Sequence, residues 1–135
     1  MSGEAFLDTN VLIYALSYDE SRKAISERLL RHGGIVSVQV LNEFVAVARR
    51  KMGMPWEDVL GSLSALRRLC GEPVALTIAI HESALQICKR HGLHIYDSLI
   101  VASALDAGCT TIYTEDLRHA QTFGSLTIQN PFLNA

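Results

Sequence analysis

The stretch from Ala5 to Leu16, in which one carboxylate interrupts an otherwise apolar run, constrains the fold of this chain more than any other. The segment Ala5-Phe6-Leu7 is short and apolar, which is typical of a buried strand. Thr9 and Asn10 favour the start of a helix through the apolar residues that follow. Asp8 therefore ends a strand, and that edge of an α/β sheet is where ligands bind. Capping of the following helix is an equally good interpretation of Asp8 taken alone.

Short apolar segments alternate with helical patterns along the rest of the chain. This alternation predicts right-handed crossovers and a parallel sheet covered by helices on both faces. The carboxyl ends of its strands lie on one edge. Beyond the first strand and helix, strands are predicted at 35–36, 74–76, 110–113 and, as a last edge strand, 126–128; helices are predicted over 19–32, 37–51, 55–70, 77–91 and from about 97 to 108.

Length and composition predict one domain spanning residues 1–135, with 49% hydrophobic residues to form its core. No apolar run is long enough for a membrane span, and no basic-then-apolar signal peptide opens the chain. We therefore expect a soluble, cytoplasmic protein without membrane contact. The three cysteines lack a C-x-x-C pair and are expected to be reduced. The net charge of −2 argues against nonspecific coating of nucleic acid, although bases cluster at 49–51, 67–68 and 89–90.

Three further acids follow the logic of Asp8. Asp97 stands at the opening of a very apolar helix, and Asp116 follows the 110–113 strand. Glu43 lies at the margin of an apolar helix face, and its neighbours at i±3 and i±4 include no cation. Arg50, two turns further on, remains within reach of Glu43. We expect the sheet edge to gather these four carboxylates.

Four clustered carboxylates need a cation to offset their repulsion. Oxygen ligands with few imidazoles favour Mg²⁺ or Mn²⁺ over Zn²⁺, and Mg²⁺ usually binds one or two carboxylates together with water and substrate phosphate. This chemistry points to phosphodiester hydrolysis, in which one or two ions activate water and stabilise the leaving oxygen. The competing interpretation is that the four acids are unrelated caps and surface residues.

Four segments in register resemble the acidic motifs of PIN-domain ribonucleases, and most closely those of VapC toxins from type II toxin-antitoxin pairs. They are Leu7-Asp8-Thr9-Asn10-Val11-Leu12, Asn42-Glu43-Phe44, Tyr96-Asp97-Ser98-Leu99-Ile100-Val101-Ala102 and Tyr113-Thr114-Glu115-Asp116-Leu117. The resemblance covers almost the whole chain and departs from the family at none of the four acids.

The resemblance implies a PIN-like three-layer α/β/α domain with a short central parallel sheet of four to five strands. It implies a Mg²⁺- or Mn²⁺-dependent endoribonuclease that acts as a toxin and is held inactive by a cognate antitoxin. The RNA that is cut and the number of metal ions are not implied. The implied catalytic and metal-binding residues are Asp8, Glu43, Asp97 and Asp116, supported by Thr9, Asn10 and Thr114.

Several alternatives stay open at this point. Within the resemblance, the chain is alternatively a PIN-domain RNase in RNA processing, or a non-catalytic RNA-binding domain. A phosphoacceptor role for Asp8 fits poorly, because Asn10 stands where a dehalogenase needs a second Asp and no lysine follows Lys89. His94 and His119 are assigned no role. Apolar stripes over 56–66 and 78–88 lead us to expect a symmetric homodimer.

Overall fold

The computed structural model describes residues 4–135. Helices predominate, and the strands are short. The elements are β1 (Ala5–Leu7), α1 (Thr9–Tyr14), α2 (Glu20–Arg31), α3 (Val38–Arg50), α4 (Trp56–Cys70), α5 (Ile78–His91), α6 (Ile95–Asp106), β2 (Thr111–Tyr113), β3 (Thr122–Phe123) and β4 (Leu126–Gln129).

The sheet has the strand order β1-β2-β4-β3 and forms the middle layer of a three-layer α/β/α domain. Strands β1, β2 and β4 are parallel, and Phe6, Ile112 and Ile128 lie in register across them with no exposed surface. Leu7 pairs with Tyr113 at the carboxyl ends of β1 and β2. The residues that leave these two strands, Asp8 and Thr114, are therefore brought side by side.

The predicted fold class is confirmed, but the sheet differs from the prediction at its edges. The segment 126–128 is not an edge strand, because β3 pairs with β4 in antiparallel orientation and takes the edge. The two strands are joined through Gly124, whose φ of 63° is readily adopted by glycine. The two-residue strand Thr122–Phe123 carries too little alternation for its sequence to indicate it.

The segments predicted as strands at 35–36 and 74–76 form only isolated parallel bridges. Ile35 pairs with Phe6, and Val74 pairs with Ser37. Neither segment extends into a strand, because Ser37 and Thr77 begin α3 and α5 by accepting hydrogen bonds as N-caps. Their backbone still extends the sheet layer by one bridge each, made of two hydrogen bonds; at Ile35 these are Leu7 N to Ile35 O and Ile35 N to Ala5 O, both at 2.9 Å.

Helix α6 is the most deeply buried helix among the described residues, and its residues 98–104 are all buried. It packs against α5 through a small apolar cluster and against the main core through Ile100, Val101 and Ala104. The amino-terminal end of α6, which carries Asp97, is therefore held in a fixed place. Within residues 4–135, every helix is too short or too polar to cross a bilayer.

The apolar stripe predicted for α4 is only partly buried. Val59 and Leu66 lie in the core, whereas Trp56 and Leu60 are 54% and 59% exposed. The guanidinium of Arg49 lies 4.6 Å from the centre of the Trp56 ring, so one face of the indole is covered by a cation. The three cysteines are free thiols, in agreement with the prediction.

Candidate active site

Asp8 leaves β1 as the N-cap of α1, so the capping interpretation of this residue is confirmed, and its role as a site residue stays a prediction. Its Oδ1 accepts a hydrogen bond from the backbone N of Thr9 at 2.7 Å, and its Oδ2 accepts one from Thr114 Oγ1 at 2.7 Å. The side chain is only 3% exposed. Burial raises the pKa of Asp8 to about 7; the two hydrogen bonds act in the opposite direction, and the charges of Glu43 and Asp116 add to the increase.

Thr114 and Asn10 connect Asp8 to the loop that follows β2. Thr114 Oγ1 accepts hydrogen bonds from Asn10 Nδ2 and from the backbone N of Asp116, both at 3.0 Å. Asn10 Nδ2 also donates to Asp116 Oδ2 at 3.1 Å, and Asn10 Oδ1 accepts from the backbone N of Glu115 at 3.3 Å. This network fixes the exposed carboxylate of Asp116 relative to the buried carboxylate of Asp8.

Glu43 projects from α3 toward the same sheet edge and is held by two neutral donors. Thr9 Oγ1 donates to its Oε1 at 2.9 Å, and Gln39 Nε2 donates to its Oε2 at 2.8 Å. Arg50 does not pair with it; the ion pairs within residues 4–135 are Arg22 with Asp19 and Arg67 with Glu72. Glu43 is therefore oriented without being neutralised.

Asp97 lies in the first turn of α6 and is not its cap. The N-cap is His94, whose Nδ1 accepts a hydrogen bond from the backbone N of Tyr96 at 3.1 Å. Burial raises the pKa of Asp97, and the charges of Asp116 and Glu43 contribute to the increase. The capping interpretation of Asp97 is therefore wrong. Its carboxylate interacts electrostatically with Asp116 and Glu43.

A cavity of about 390 Å³ opens beside Glu43 and Asp116, and it reveals residues that sequence reasoning missed. Glu115 follows the same strand as Asp116, and its Oε2 accepts a 2.6 Å hydrogen bond from the Tyr14 hydroxyl. A larger cavity of about 720 Å³ lies beside α2 and is lined by none of the four acids. The lining of the smaller cavity comprises Thr9, Asn10, Ile13, Tyr14, Glu43, Ala46, Val47, Lys51, Glu115 and Asp116.

The donor chemistry of the edge fits a hard divalent cation. Hydrogen bonds connect Asp8, Glu43 and Asp116 through Thr9, Asn10 and Thr114, whereas Asp97 is linked to them by charge alone. All four are carboxylates, and none forms an ion pair within the described residues. No three Asp, Glu, His or Cys side chains of residues 4–135 are placed to hold one ion together. Mg²⁺ commonly takes only one or two carboxylates and completes its shell with water, so it does not require three protein ligands at one point. The carboxylates available to it are those of Asp8, Glu43, Asp97 and Asp116.

Comparison with known proteins identifies the class. A family model described as the PIN domain matches residues 5–123, so the chain belongs to the PIN domain family. The family resemblance seen in the four acidic motifs is thereby confirmed.

Two solved structures of VapC proteins are similar to this chain. One is VapC20 of Mycobacterium tuberculosis, described as a sarcin-ricin loop cleaving toxin; it is 21% identical, with 84% of this chain and 90% of that chain covered and a TM-score of 0.67. The other is VapBC2 of Rickettsia felis bound to a DNA fragment from its promoter; it is 21% identical, with 96% and 98% covered and a TM-score of 0.66. No curated protein sequence matches the chain.

Proposed function

We propose that this protein is a Mg²⁺- or Mn²⁺-dependent endoribonuclease that acts as the toxin of a toxin-antitoxin pair. The observation that carries the proposal is that Asp8, Glu43 and Asp116 are joined by one hydrogen-bond network at the sheet edge of a PIN domain and that the charges of Glu43 and Asp116 reach Asp97. None of these four acids forms an ion pair with a cation of the described chain. A site built only to bind RNA gains nothing from negative charges that face phosphates. The description of VapC20 as a sarcin-ricin loop cleaving toxin supports a cleaving toxin activity for this chain.

The residues of the chain have separate tasks in this reaction. Each oxygen of Asp8 accepts one hydrogen bond, from the Thr114 hydroxyl or the Thr9 backbone. Each oxygen of Glu43 likewise accepts one, from Gln39 or the Thr9 hydroxyl. Asn10 keeps Asp116 at the mouth of the cavity. A bound divalent cation supplies the activation of water and the neutralisation of the departing oxygen. Asp8, Glu43, Asp97 and Asp116 would hold such a cation in their ionised form, so protons would compete with it at Asp8 and Asp97, whose pKa values are raised.

A purified-protein assay tests the catalytic part of the proposal. Wild-type protein is incubated with end-labelled structured RNA in Mn²⁺, in Mg²⁺ and in EDTA. We expect endonucleolytic fragments with either metal and none in EDTA, because the water needs the cation for activation. Cleavage that persists in EDTA, or intact RNA under all three conditions, would contradict the proposal.

The toxin role is tested by expression in the absence of an inhibitor. A free nuclease acting on cellular RNA arrests growth, and an inhibitor is expected to reach the carboxylates with an Arg or Lys that takes the place of the cation's charge. We expect induced wild-type protein to stop growth and Asp97→Asn to be tolerated at equal soluble level. Normal growth with cleavage-active wild-type protein would assign the chain to RNA processing instead.

A further inference from the structure

Lys51 brings a positive charge into a cavity whose other charged side chains are acids. It is the C-cap of α3, and it follows Glu43 and Val47 at intervals of four residues, so all three line the same side of the helix. The acids of the cavity are Glu43, Glu115 and Asp116. A lysine among three carboxylates is expected to pair with one of them unless its position prevents contact.

Lys51 forms no such pair within the described residues. The two ion pairs there involve Arg22 and Arg67, and the Glu43 and Glu115 oxygens accept instead from Gln39, Thr9 and Tyr14. Lys51 is an exposed residue, so its ammonium group can bind an anion from solution. The neighbouring acids thus have other hydrogen-bond donors, and the Lys51 ammonium remains available to bind a ligand.

The alternative explanation is the helix dipole, because a cation near the carboxyl end of any helix is stabilising. This explanation applies equally to Lys89, which lies in the last turn of α5, is exposed and forms no ion pair among residues 4–135. Lys89 does not line the acidic cavity. The two lysines therefore share the dipole effect and differ in their proximity to the acids.

We propose that Lys51 is a substrate-positioning residue that binds a phosphate of the RNA strand close to, but distinct from, the one that is cleaved. The inference rests on the proposed function and extends it to the path of the substrate. Eight residues of helix separate Lys51 from Glu43, about 12 Å along the axis, so the two side chains meet different phosphates. A flexible ammonium is suited to this contact because it binds phosphate as a point charge and reads no base.

The test compares Lys51→Gln and Lys51→Arg with the matched control Lys89→Gln. Binding of a fluorescent single-stranded RNA is measured in EDTA over a series of salt concentrations. Loss of one phosphate contact should lower the slope of log affinity against log salt by about 0.7, which is roughly a fourfold weaker affinity at 0.15 M salt. We expect this change for Lys51→Gln alone, with Lys51→Arg and Lys89→Gln close to wild type.

Steady-state cleavage in Mn²⁺ gives the second measurement. We expect Lys51→Gln to raise KM by a similar factor of roughly four and to leave kcat unchanged, since the contact is made before and during the reaction alike. If Lys51→Gln and Lys89→Gln have the same affinity and salt slope, or if wild-type protein binds no RNA, the inference is overturned. A slope change specific to Lys51 without any cleavage would support this contact and refute the nuclease proposal.

Discussion

Asp8 combines a structural task with a chemical one because its two oxygens are used separately. One oxygen caps α1 through Thr9, and the other receives the hydroxyl of Thr114 from the neighbouring strand. Both donors favour the ionised carboxylate, yet burial outweighs them and raises the pKa to about 7. In the absence of a cation, the fold therefore holds this charge at a cost in stability.

The raised pKa of Asp8 predicts how the stability of the metal-free protein depends on pH. Between about pH 4 and 7 the folded state binds a proton that the unfolded state has released, so stability falls as pH rises through this window. One such group costs up to about 1.4 kcal/mol per pH unit. Urea unfolding in EDTA at a series of pH values measures the slope.

Asp8→Asn removes the titrating group and should flatten this dependence. The comparison uses the slope and not the absolute stability, because Asn at this position also changes the hydrogen bond with Thr114. Equal slopes in wild type and Asp8→Asn would show that Asp8 does not carry the pH effect.

Replacing Asp97 by Asn is predicted to stabilise the metal-free protein, whereas most substitutions destabilise a protein. Since burial and the neighbouring acids raise its pKa and His94 does the capping, Asp97→Asn should raise the melting temperature in EDTA. Saturating Mn²⁺ at a hundredfold excess over Kd should stabilise wild type by about 2.7 kcal/mol and the variant by clearly less. RNA cleavage by the variant should fall by orders of magnitude. Melting curves with and without Mn²⁺, beside a cleavage assay, measure all three effects.

Asp58 is a matched control for Asp97 because it occupies the same third position of its helix, α4, and is exposed. Asp58→Asn loses only a favourable interaction with the helix dipole and should lower stability by less than about 1 kcal/mol. Its response to Mn²⁺ and its cleavage activity should match wild type. A Mn²⁺ shift that is equal in Asp97→Asn and Asp58→Asn, together with retained cleavage, would remove Asp97 from the metal site.

At the scale of elements, the sequence predicted the helices better than the sheet. Caps such as Ser37 and Thr77 are local and lie where the sequence indicates them. The strands are two to four residues long, so their pairing depends on distant partners and not on local periodicity. The sequence of 126–129 alone does not show that β4 lies between β2 and β3. Only the pairing with β3 makes β4 an inner strand, and β3 is two residues long.

The difference between local signals and distant contacts also explains which residues near the sheet edge the sequence predicts. Asp8 and Asp116 follow strands, and strand ends converge by topology, so position in the sequence was sufficient. Gln39 carries no charge, so the absence of a cation near Glu43 in the sequence does not indicate that a neutral donor four residues earlier binds it. In the sequence Lys51 is one of the three bases at 49–51, and only the path of α3 past the cavity distinguishes it from the adjacent arginines, which do not line that cavity.

Gly34, which lies between α2 and α3, and Gly61, which lies within α4, are predicted to respond in opposite ways to substitution by alanine. A Cβ at Gly34 would lie 2.6 Å from Leu7 Cγ, whereas a Cβ at Gly61 within α4 would meet nothing within 4 Å. Gly34→Ala should therefore destabilise the protein by about 1–3 kcal/mol through overpacking. Gly61→Ala should stabilise it by about 0.5–1 kcal/mol, because alanine restricts the unfolded chain more than glycine does. Urea midpoints of both variants give the signs.

Leu7 immediately precedes Asp8, so the strain in Gly34→Ala should also reach the site. We expect reduced cleavage by Gly34→Ala under conditions where it is fully folded, and wild-type cleavage by Gly61→Ala. A stable and fully active Gly34→Ala protein would mean that Leu7 adjusts without moving the end of β1.

At the scale of the whole molecule, apolar side chains on α4 and α5 remain in contact with solvent. Trp56 and Leu60 on α4 are more than half exposed, and on α5 the exposed fractions are 73% for Ile78 and 46% for Leu85. The stripes that suggested a homodimer in the sequence thus keep part of their surface uncovered in the single chain. The homodimer stays a prediction, and these two helices are where we expect its interface.

Light scattering coupled to size exclusion at micromolar concentration measures the assembly. We expect twice the chain mass for wild type and the chain mass for Leu60→Glu, since a charge in a symmetric apolar interface would be buried twice. Leu133→Glu is the control, because Leu133 is 58% exposed near the carboxyl terminus and lies outside α4 and α5. Both substitutions replace an exposed leucine and so should leave folding of the single chain intact. A wild-type protein that elutes as a monomer would contradict the prediction, and a dimer that survives Leu60→Glu would move its interface away from this part of α4.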